Sequence, residues 1–515
     1  MQREQVNVEE LRRGGVIALK ERDMFSLWVK TACCNLNSAQ LRKLADITDK
    51  YGRGFLLFSS RQIPIIPFIR LQDVAASKKE LAEVEMELDR CGARVRNFNV
   101  CHEDKICLYA IVNCISLGEK VESFFRSEIL HKIKIGIAGC SRDCVVTRVL
   151  SDIGFIGARS DNGARYDAYL GGRLGLNPFI GIKMAERLSE DEAVRFVQNY
   201  FDLMEREGKP GERAADLINR LGTEKVKQEL IKNLQDKTLP EPVACPTRLA
   251  EKETDKIIPR IRATCGEVTT KQLRKIADIA GKYGLGFVHF AVRGAPEIPG
   301  VDIKCLADIV NELQEVNLQI LDSGIDNLQT CYGRHCSESL ADTQYLLAEV
   351  EKKVKELGLN DLNIKVSAAG CPNSCGIPQL SDVGFHGIAE PEVDAKSCSA
   401  CGLCIPVCKR KAIKIENGKV IIDKERCGYC GQCITVCPFD GMLEKRRGLA
   451  VLVGGKEGED TRLGKVIAEF VSEDEAIQIV GKCLKLMKEK NTGASAIIDE
   501  MGIEKLRDIL VADEK

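Results

Sequence analysis

Residues 367–376 read SAAGCPNSCG, and residues 330–339, a short distance upstream, read TCYGRHCSES. Each stretch holds a close pair of cysteines, and glycine, proline and asparagine around the second pair favour a tight loop over a helix interior. Thiolates are the ligands that hold iron–sulfur units. We therefore expect the two pairs to converge on one cluster with the ligands Cys331, Cys336, Cys371 and Cys375.

The composition is that of an ordinary soluble globular protein. The chain has 515 residues, 44% of them hydrophobic and 29% charged, which predicts several domains. A net charge of −1 gives no general attraction to nucleic acid or to an anionic membrane. The first residues contain no apolar signal core, and no apolar run is long enough to span a bilayer. We expect a cytoplasmic protein without a nucleic-acid or membrane partner.

Twenty-four cysteines are unusual in such a chain. A disulfide scaffold is one explanation, but scaffolds of that kind are small and secreted. In a reducing compartment, cysteines at short regular spacings are more often metal ligands. Sixteen of the 24 have such spacings, and the others, including Cys33, Cys34, Cys305 and Cys483, are expected to be buried thiols. The pattern indicates an iron–sulfur protein of an anaerobic or strictly reducing cytoplasm.

The sequence repeats itself with an offset of roughly 230 residues. QLRKLADI at 40–47 returns as QLRKIADI at 272–279, and SDIGFIGA at 151–158 returns as SDVGFHGI at 381–388. The further matched pairs, in the same order along the chain, are 51–61 with 283–293, 171–172 with 454–455, 188–193 with 471–476, and 217–225 with 497–505. The protein is a fused duplication of a first and a second copy.

Both copies have the same predicted local plan. A helical apolar pattern is followed in each by a short apolar run, FLLF or FVHF, which predicts a strand. The stretch 132–137 alternates polar or small residues with isoleucine, as a half-buried strand does. Ser189 and Ser472, each three residues before a glutamate, predict capping boxes at helix starts. Helices mixed with strands predict an α+β or α/β class, with the copies related by a pseudo-twofold axis.

Residues 398–437 have no counterpart in the first copy. They contain two runs of C-x2-C-x2-C-x3-C, the pattern of bacterial two-cluster ferredoxins, in which the fourth cysteine of each run ligates the other cluster. Zinc is the alternative for an isolated C-x2-C pair, but eight cysteines in this double register favour iron–sulfur clusters. One predicted [4Fe–4S] cluster has the ligands Cys398, Cys401, Cys404 and Cys437, and the other has Cys427, Cys430, Cys433 and Cys408.

These motifs resemble the sirohaem-dependent sulfite and nitrite reductases over essentially the whole chain. The resemblance implies an α+β fold in which a ferredoxin-like half-domain and a sirohaem/[4Fe–4S] domain occur twice. The inserted ferredoxin domain is similar to that of the dissimilatory sulfite reductases, and the fusion of both copies is similar to the assimilatory enzymes. The predicted domains are half-domains at 1–75 and 236–305, and sirohaem/[4Fe–4S] domains at 76–235 and 306–515, the last interrupted by a 2[4Fe–4S] ferredoxin domain at 396–439.

The resemblance also implies that Cys375, the last cysteine of its set, bridges the cluster to the sirohaem iron. A shared thiolate would couple cluster and haem, so that electrons reach the iron without a separate hop. One departure concerns Cys331, because the first pair is C-x4-C here and usually C-x5-C in the family. The loop after Cys331 must close one residue tighter.

Small oxyanions are held in this family by basic side chains of the first copy. The matching residues are Arg61, Lys132 and Lys134, and Lys30 lies where the family has another arginine. Lys132 and Lys134 alternate on one strand and so face the same side. Positive groups there would hold the anion, favour loss of its oxygens as water and relay protons. A solvated surface charge is the alternative for each of them.

By analogy, four arginines would pair with the carboxylates of sirohaem, namely Arg94, Arg96, Arg260 and Arg262. The first copy also keeps four cysteines, Cys101, Cys107, Cys140 and Cys144, which by resemblance to the dissimilatory enzymes would hold a further cluster. The resemblance also allows a second sirohaem-type ring axial to Cys144. Because Asn363 replaces Lys132 in the second copy, we expect this second site to be inactive or only to relay electrons.

We therefore expect a sirohaem/iron–sulfur enzyme that reduces sulfite to sulfide, or nitrite to ammonia, by six electrons. Electrons would enter at the inserted ferredoxin domain from an external donor, such as a ferredoxin or another redox subunit. The alternative is an iron–sulfur electron-transfer protein of this family that lacks sirohaem catalysis. The residues do not separate sulfite from nitrite.

Overall fold

The structure is a computed structural model that describes residues 7–126, 129–160, 163–234, 255–321, 328–359 and 362–511. These residues form two compact units. The first unit comprises 1–173, 178–322 and 457–459, and the second comprises 174–177, 323–456 and 460–515. The predicted boundary between residues 235 and 236 lies outside the described residues.

The first unit contains both half-domains and the first cysteine-rich domain. Its helices are α1 (Val8–Arg13), α2 (Ser38–Tyr51), α3 (Val74–Ala82), α4 (Cys114–Glu122), α5 (Thr147–Leu150), α6 (Glu190–Glu207), α7 (Ala214–Leu221), α8 (Thr223–Ile231), α9 (Thr270–Tyr283) and α10 (Leu306–Gln314). Its strands are β1 (Val16–Ala18), β2 (Met24–Trp28), β3 (Asn35–Asn37), β4 (Phe55–Phe58), β5 (Pro64–Arg70), β6 (Asn99–Val100), β7 (Ile135–Ala138), β8 (Ile153–Ser160), β9 (Gly163–Leu170), β10 (Ile182–Leu188), β11 (Lys256–Ile257), β12 (Glu267–Thr269), β13 (Phe287–Phe290), β14 (Pro296–Glu297) and β15 (Val301–Asp302).

The two half-domains exchange strands. In the five-stranded sheet β1-β2-β5-β4-β12, strand β12 of the second copy pairs with β4 of the first. In the sheet β14-β13-β3, strand β3 of the first copy pairs in turn with β13 of the second. Helices α2 and α9 pack against each other over a common core, and each begins with a capping box. The reciprocal pairing makes the half-domains one folded body.

A five-stranded sheet organises each cysteine-rich domain, and the two sheets have the same topology. The order is β10-β9-β8-β7-β6 in the first unit, where β6, β7 and β8 are parallel and β9 and β10 are antiparallel. Ile133 and Ile135 are buried and Lys132 and Lys134 are half-buried, so burial alternates here as predicted. The strand itself begins only at Ile135, so both lysines precede it. From Ile135 onward both faces of β7 are buried, as expected for a central parallel strand.

The second unit repeats this sheet as β16-β17-β18-β21-β22. Its strands are β16 (Gln329–Thr330), β17 (Val366–Ala369), β18 (Val383–Val393), β19 (Ile413–Glu416), β20 (Lys419–Ile422), β21 (Met442–Val453) and β22 (Lys465–Val471). Its helices are α11 (Thr343–Glu356), α12 (Cys404–Val407), α13 (Gln432–Thr435), α14 (Glu473–Lys490), α15 (Ala494–Met501) and α16 (Ile503–Val511). Among the described helices of both units, none combines the length and the apolar character needed to cross a membrane.

The extra segment predicted from the sequence lies between β18 and β21, two long antiparallel strands. It forms a small body with the hairpin β19–β20, the short helices α12 and α13, and its own core around Ile413, Val420 and Met442. The mixed helix–strand class and the duplication predicted from the sequence are therefore confirmed. So are the capping boxes, because Ser189 and Ser472 exchange hydrogen bonds with their glutamates at the starts of α6 and α14.

Candidate functional site

Four cysteines of the second unit meet at one edge of its sheet. Cys331 directly follows β16, and Cys371 and Cys375 follow the neighbouring parallel strand β17, so the ends of both strands deliver thiols to the same place. Burial raises the pKa of Cys336 to about 12, and the nearby Cys331 and Cys375 contribute to that rise. Burial also raises the pKa of Cys371, again with Cys375 and Cys331 as neighbours. The four predicted ligands are thus brought together.

The shorter first loop closes by a tight turn. Gly333–His335 forms a single turn of 3-10 helix, and the Cys336 N–H donates to the Gly333 carbonyl at 3.0 Å. The Cys331 sulfur accepts hydrogen bonds from the N–H groups of Gly333 at 3.3 Å and Gly370 at 3.2 Å. Donors aimed at a sulfur stabilise its thiolate form. The C-x4-C spacing therefore still places Cys331 with the other three cysteines.

The loop that carries Cys371 and Cys375 is packed too closely to admit a side chain at Gly376. A Cβ there would lie 2.0 Å from the Ala368 carbonyl oxygen and 2.8 Å from the Cys331 nitrogen. Ser374 and Ile377 have positive φ, and the Ser374 hydroxyl is 2.6 Å from His386 Nε2. Burial lowers the pKa of His386 to about 4, so this imidazole is neutral and can accept a hydrogen bond from the Ser374 hydroxyl.

The first copy builds an equivalent loop in the first unit. Asp143 and Val146 have positive φ at the positions of Ser374 and Ile377. Cys101 follows β6, and its hydrogen bond with Cys144 lowers the pKa of Cys144. Burial raises the pKa of Cys140, and the charges of Cys144 and Cys107 add to that rise. The predicted set Cys101, Cys107, Cys140 and Cys144 is thus also brought together, with Cys114 as a fifth buried thiol nearby.

The eight cysteines of the inserted segment line two separate small cavities. The first cavity is lined by Cys398, Cys401, Cys404 and Cys437, and the second by Cys408, Cys427, Cys430 and Cys433. The cavities therefore sort the cysteines into the two sets predicted from the spacing, each including one cysteine of the other run.

A hydrogen-bond chain connects this segment to the Cys371 loop. Lys409, next to Cys408, donates to Asn373 Oδ1 at 2.9 Å. Asn373 in turn donates to the Cys371 sulfur at 3.4 Å and to Glu338 at 2.8 Å. Lys409 thus links one predicted cluster-binding loop to the next.

A group of basic side chains lies in the first unit. Desolvation lowers the pKa of Lys132 well below its ordinary value, and the charges of Lys134, Arg213 and Arg61 lower it further. The Arg61 guanidinium lies over the Trp28 ring, 4.6 Å from its centroid. Arg61, Lys132 and Lys134 are therefore neighbours, as predicted, and Arg213 joins them.

A buried carboxylate holds two of the arginines. Asp89 is 3.5 Å from Arg61 and 3.8 Å from Arg96, which is 1% exposed. Among the described residues, Arg61 Nη1 and Arg96 Nε are buried without a hydrogen-bond partner. Asn97 fixes the arrangement, because its N–H donates to Asp89 and its side-chain amide donates to the Arg61 carbonyl. The group therefore keeps unused donor capacity in a buried place, a feature that favours an anion.

Lys30 is bonded differently from the rest of the group. Its ammonium pairs with Glu122 and lies 3.5 Å from Glu87. Two carboxylates balance its charge, which makes it a poorer candidate for binding an external anion than Arg61. Its predicted role at the site stays a prediction.

The remaining predicted arginines occupy varied surroundings. Arg94 and Arg262 are half-buried, and Arg96 also donates to the Cys91 sulfur at 3.2 Å. Arg260 donates to Glu297 at 2.7 Å. Their predicted roles toward sirohaem stay predictions.

In the second copy, the counterpart of Arg61 is Arg293, and a carboxylate neutralises its charge. Arg293 donates to Glu457 at 2.7 Å, and both side chains are largely buried. The first copy carries Leu174, which has no charge, at the repeat position of Glu457. Asn363, at the position of Lys132, is exposed in the second unit. The two copies therefore differ in charge at matched positions.

Sequence reasoning missed Asp89, Asn97 and Arg213. Each acts through partners distant in the chain, since Arg213 binds Asp152 with two hydrogen bonds of 2.7 and 3.0 Å. Asp152 lies in the repeated SDIG motif, and its Oδ2 also accepts the N–H of Lys134. That repeated aspartate was the one feature of the sequence that could have pointed to Arg213 as a member of the basic group.

The fold and these cysteine sets are those of a duplicated iron–sulfur oxidoreductase. The family described as "Nitrite and sulphite reductase 4Fe-4S domain" matches residues 91–238 and 322–515, and "Nitrite/Sulfite reductase ferredoxin-like half domain" matches 17–84 and 250–316. The chain belongs to this sirohaem-dependent sulfite and nitrite reductase family.

Several proteins are similar to parts or most of the chain. The coenzyme F420-dependent sulfite reductase of Methanocaldococcus jannaschii is 35% identical over 44% of this chain, which spans only 36% of that protein. A subunit of the anaerobic sulfite reductase of Salmonella typhimurium is 30% identical over 47% of this chain and 77% of its own length. A ferredoxin-type sulfite reductase of Mycobacterium tuberculosis is 25% identical, with coverages of 71% and 70%.

The structure of the Mycobacterium tuberculosis NirA protein superposes with a TM-score of 0.72 at 19% identity, covering 96% of this chain and 90% of that chain. This likeness shows the fold. It extends over both copies, in agreement with the duplication.

The cysteine sets fit iron–sulfur clusters by their chemistry. The cysteines of this set raise one another's pKa, so deprotonating them costs free energy. A bound cationic metal offsets that free energy, because it takes the thiolates as ligands. Family membership supports a [4Fe–4S] cluster and sirohaem in this protein. Cys375 is the exposed member of its set, and its predicted role as a ligand shared with sirohaem stays a prediction.

We expect Gly376→Ala to disrupt the Cys371–Cys375 loop, because the added Cβ meets backbone atoms that cannot move aside independently. Anaerobically purified protein should lose about four irons per chain, the content of one [4Fe–4S] cluster. Gly493→Ala is the control, since its Cβ would come no closer than 3.4 Å to another group. Unchanged iron and acid-labile sulfide in Gly376→Ala would contradict this account of the loop.

Proposed function

We propose that the protein reduces sulfite or nitrite by six electrons, with Cys375 as the ligand shared between a [4Fe–4S] cluster and sirohaem. The observation that carries the proposal is the buried basic group of the first unit, in which Arg61 and Arg96 keep donor atoms without partners among the described residues. The three relatives compared with this chain are named for sulfite, so sulfite is the first substrate to assay and nitrite the second. The pairing of Cys375 with this basic group rests on the family pattern.

The basic group would bind the anion and supply protons. Arg61 offers a planar set of donors, stacked on Trp28 and held by Asp89, so it loses little freedom when an oxyanion binds. Lys132 and Lys134 are both half-buried, and the charge of Lys134 lowers the pKa of Lys132. Both could donate to oxygens that leave as water. When bound, sirohaem would supply an iron that can accept electrons and hold the reacting atom of the substrate. Arg96 and Arg94 are our candidates for its carboxylates.

The inserted segment would bring in the electrons. Its two cysteine sets line neighbouring cavities, and Lys409 connects the second set to the Cys371 loop through Asn373. Electrons from an external donor would pass through both clusters to the Cys331–Cys375 cluster. This arrangement favours a protein donor over direct reduction by a nicotinamide, since the chain has no G-x-G-x-x-G fingerprint.

The first copy's cysteine set would hold a cluster at a site that does not turn over. Arg293, the counterpart of Arg61, is neutralised by Glu457, so the cation that would bind the anion is already paired. An electron relay requires the thiolates but not this cation. We therefore propose catalysis at one of the two repeated sites.

The first test compares two cysteine variants under anaerobic conditions. Cys375→Ser should lose sulfite- and nitrite-dependent oxidation of a reduced dye by more than the roughly 10–100-fold typical of residues that only support a ligand. Cys144→Ser should keep much of the activity, and Cys483→Ala, which removes a buried thiol in α14, should match the wild type. Equal losses in the first two variants would sink the assignment of a single active site.

Iron and sirohaem content distinguish the enzyme from an electron carrier. Four clusters predict about 16 irons in addition to that of the haem. The electron-transfer alternative predicts a different result. Wild-type protein would contain all its clusters but would yield no extractable sirohaem and would show no turnover.

We expect nitrite affinity to fall as pH rises through the lowered pKa of Lys132. A lysine is charged below its pKa, so a depressed value means that the ammonium is lost at a pH where ordinary lysines keep it. Lys132→Arg should stay charged and give a flatter KM–pH profile, whereas Lys132→Met should raise KM by about 10–100-fold at low pH, the equivalent of one charge-assisted hydrogen bond. Nitrite is the probe because sulfite itself titrates near neutrality.

Lys78→Arg, on the exposed surface of α3, is the matched control. A profile for Lys132→Met with the same KM and pH dependence as the wild type would remove Lys132 from the anion site.

We expect Cys427→Ser to separate electron entry from substrate reduction. The variant should lose one cluster, about four irons, and with it most turnover driven by a reduced ferredoxin. A small dye that reaches the Cys331–Cys375 cluster directly should still support turnover. If ferredoxin-driven and dye-driven rates fall together, the inserted segment is not the entry point.

A further inference from the structure

Three buried side chains of the first unit converge on one place. His102, His289 and Glu297 are 8%, 2% and 6% exposed. One ligand atom of each lies within 4.8 Å of the others. His289 and Glu297 are directly opposite each other on β13 and β14, and the His102 ring packs on the His289 ring at 4.0 Å between centroids.

The fold itself does not require polar residues here. The first copy carries Leu57 opposite Ile65 at the equivalent positions of β4 and β5. The same strand pairing is therefore built from two aliphatic residues in one copy and from a histidine and a glutamate in the other. Burying an ionisable pair is costly unless partners compensate for the lost water.

His289 is oriented as a ligand. Its Nδ1 is 2.8 Å from Asn35 Oδ1, an acceptor, so the proton lies on Nδ1 and the Nε2 lone pair is unprotonated. Metal-binding histidines commonly donate their other ring N–H in this way.

Gln62 has no N–H group left to donate to the Nε2 lone pair of His289. The Gln62 amide nitrogen is 3.3 Å from His289 Nε2, but its two hydrogens are used by the carbonyls of Val100 and Phe290. The Gln62 oxygen accepts from Asn99, which fixes the amide orientation. His289 Nε2 thus has a buried lone pair without a donor among the described residues, a costly state unless something else binds it.

Glu297 directs its other oxygen to the same place. Its Oε1 accepts from Arg260 at 2.7 Å, and its Oε2 accepts from His102 Nε2 at 2.8 Å. A bound cation would replace the proton of the second hydrogen bond, and that proton would be released on binding. Ligating carboxylates are typically hydrogen-bonded at the other oxygen, and Arg260 supplies that bond. In a tetrahedral site with bonds of about 2.0–2.1 Å the ligand atoms are roughly 3.4 Å apart, a separation that small movements of these side chains would reach.

We propose that His102 Nε2, His289 Nε2 and Glu297 Oε2 bind a divalent transition-metal ion, Zn²⁺ or Fe²⁺. Two imidazoles and a carboxylate suit both ions, whereas Mg²⁺ and Ca²⁺ prefer oxygen ligands. The ion would link the second copy's half-domain to His102, the residue after Cys101, and so hold the first copy's cysteine loop in place. The proposal is independent of the reductase activity.

The test uses the full chain purified anaerobically, with clusters quantified by acid-labile sulfide. After incubation with Zn²⁺ or Fe²⁺ and desalting, we expect one equivalent of zinc, or one iron in excess of sulfide, per chain beyond the clusters and haem. His289→Leu, which restores the residue of the first copy, and Glu297→Gln, which keeps a hydrogen bond to Arg260, should each weaken binding at least tenfold. His131→Asn, a histidine outside the cluster, should bind like the wild type.

Two further measurements locate the ion and separate metal binding from a hydrogen-bond network. An anomalous difference map at the zinc edge should place a peak between His102, His289 and Glu297. The thermal midpoint of the wild type should rise with Zn²⁺, because an ion that binds only the folded state stabilises it, and that rise should vanish in His289→Leu. No bound ion beyond the clusters, equal binding in the variants, or zinc found only at cysteines would overturn the proposal.

Discussion

Four thiols meet at one edge of the parallel part of each sheet, and they must ionise together to bind a cluster. The rest of the structure depends on this constraint. Neighbouring parallel strands end at the same edge, so a cysteine placed after each strand meets the others without a dedicated scaffold. Burial and mutual repulsion raise the pKa of Cys336 and Cys371, which makes a bound cationic cluster the natural partner of the site. The tight loops, the N–H groups aimed at Cys331 and the neutral His386 all serve this arrangement.

Local patterns predicted the parts of the molecule whose geometry is local. The ferredoxin spacing sorted eight cysteines into two sets, and the cavities contain the same sets, because ligand spacing along a short loop fixes which sulfurs can meet. Local patterns also predicted the capping boxes at Ser189 and Ser472 and the alternating burial around Lys132. The repeat predicted that both copies share one plan of helices and strands, and their five-stranded sheets have the same topology.

Partners distant in the chain could not be predicted in the same way. Asp89 joins Arg61 to Arg96, and Lys30 meets Glu122 from 92 residues away, only after the half-domain packs on the first cysteine-rich domain. A single sequence carries no periodic signal for such pairs. The pairing of His289 with Glu297 could have been suspected from the repeat, since Leu57 and Ile65 occupy the matched positions, but it needed the strand register to become a site.

The duplication makes each copy a control for the other, and the comparison favours one active site. Matched positions hold Arg61 and Leu174 in the first copy and Arg293 and Glu457 in the second. A buried arginine that already has a carboxylate partner binds a new anion only by releasing that partner, which leaves a buried charge unpaired at a cost of roughly 3–5 kcal/mol. Arg61 lies 3.5 Å from Asp89 without a hydrogen bond between them, and Asp89 is shared with Arg96, so positive charge remains in excess. That difference in buried charge is the basis for proposing an anion site at Arg61 and none at Arg293.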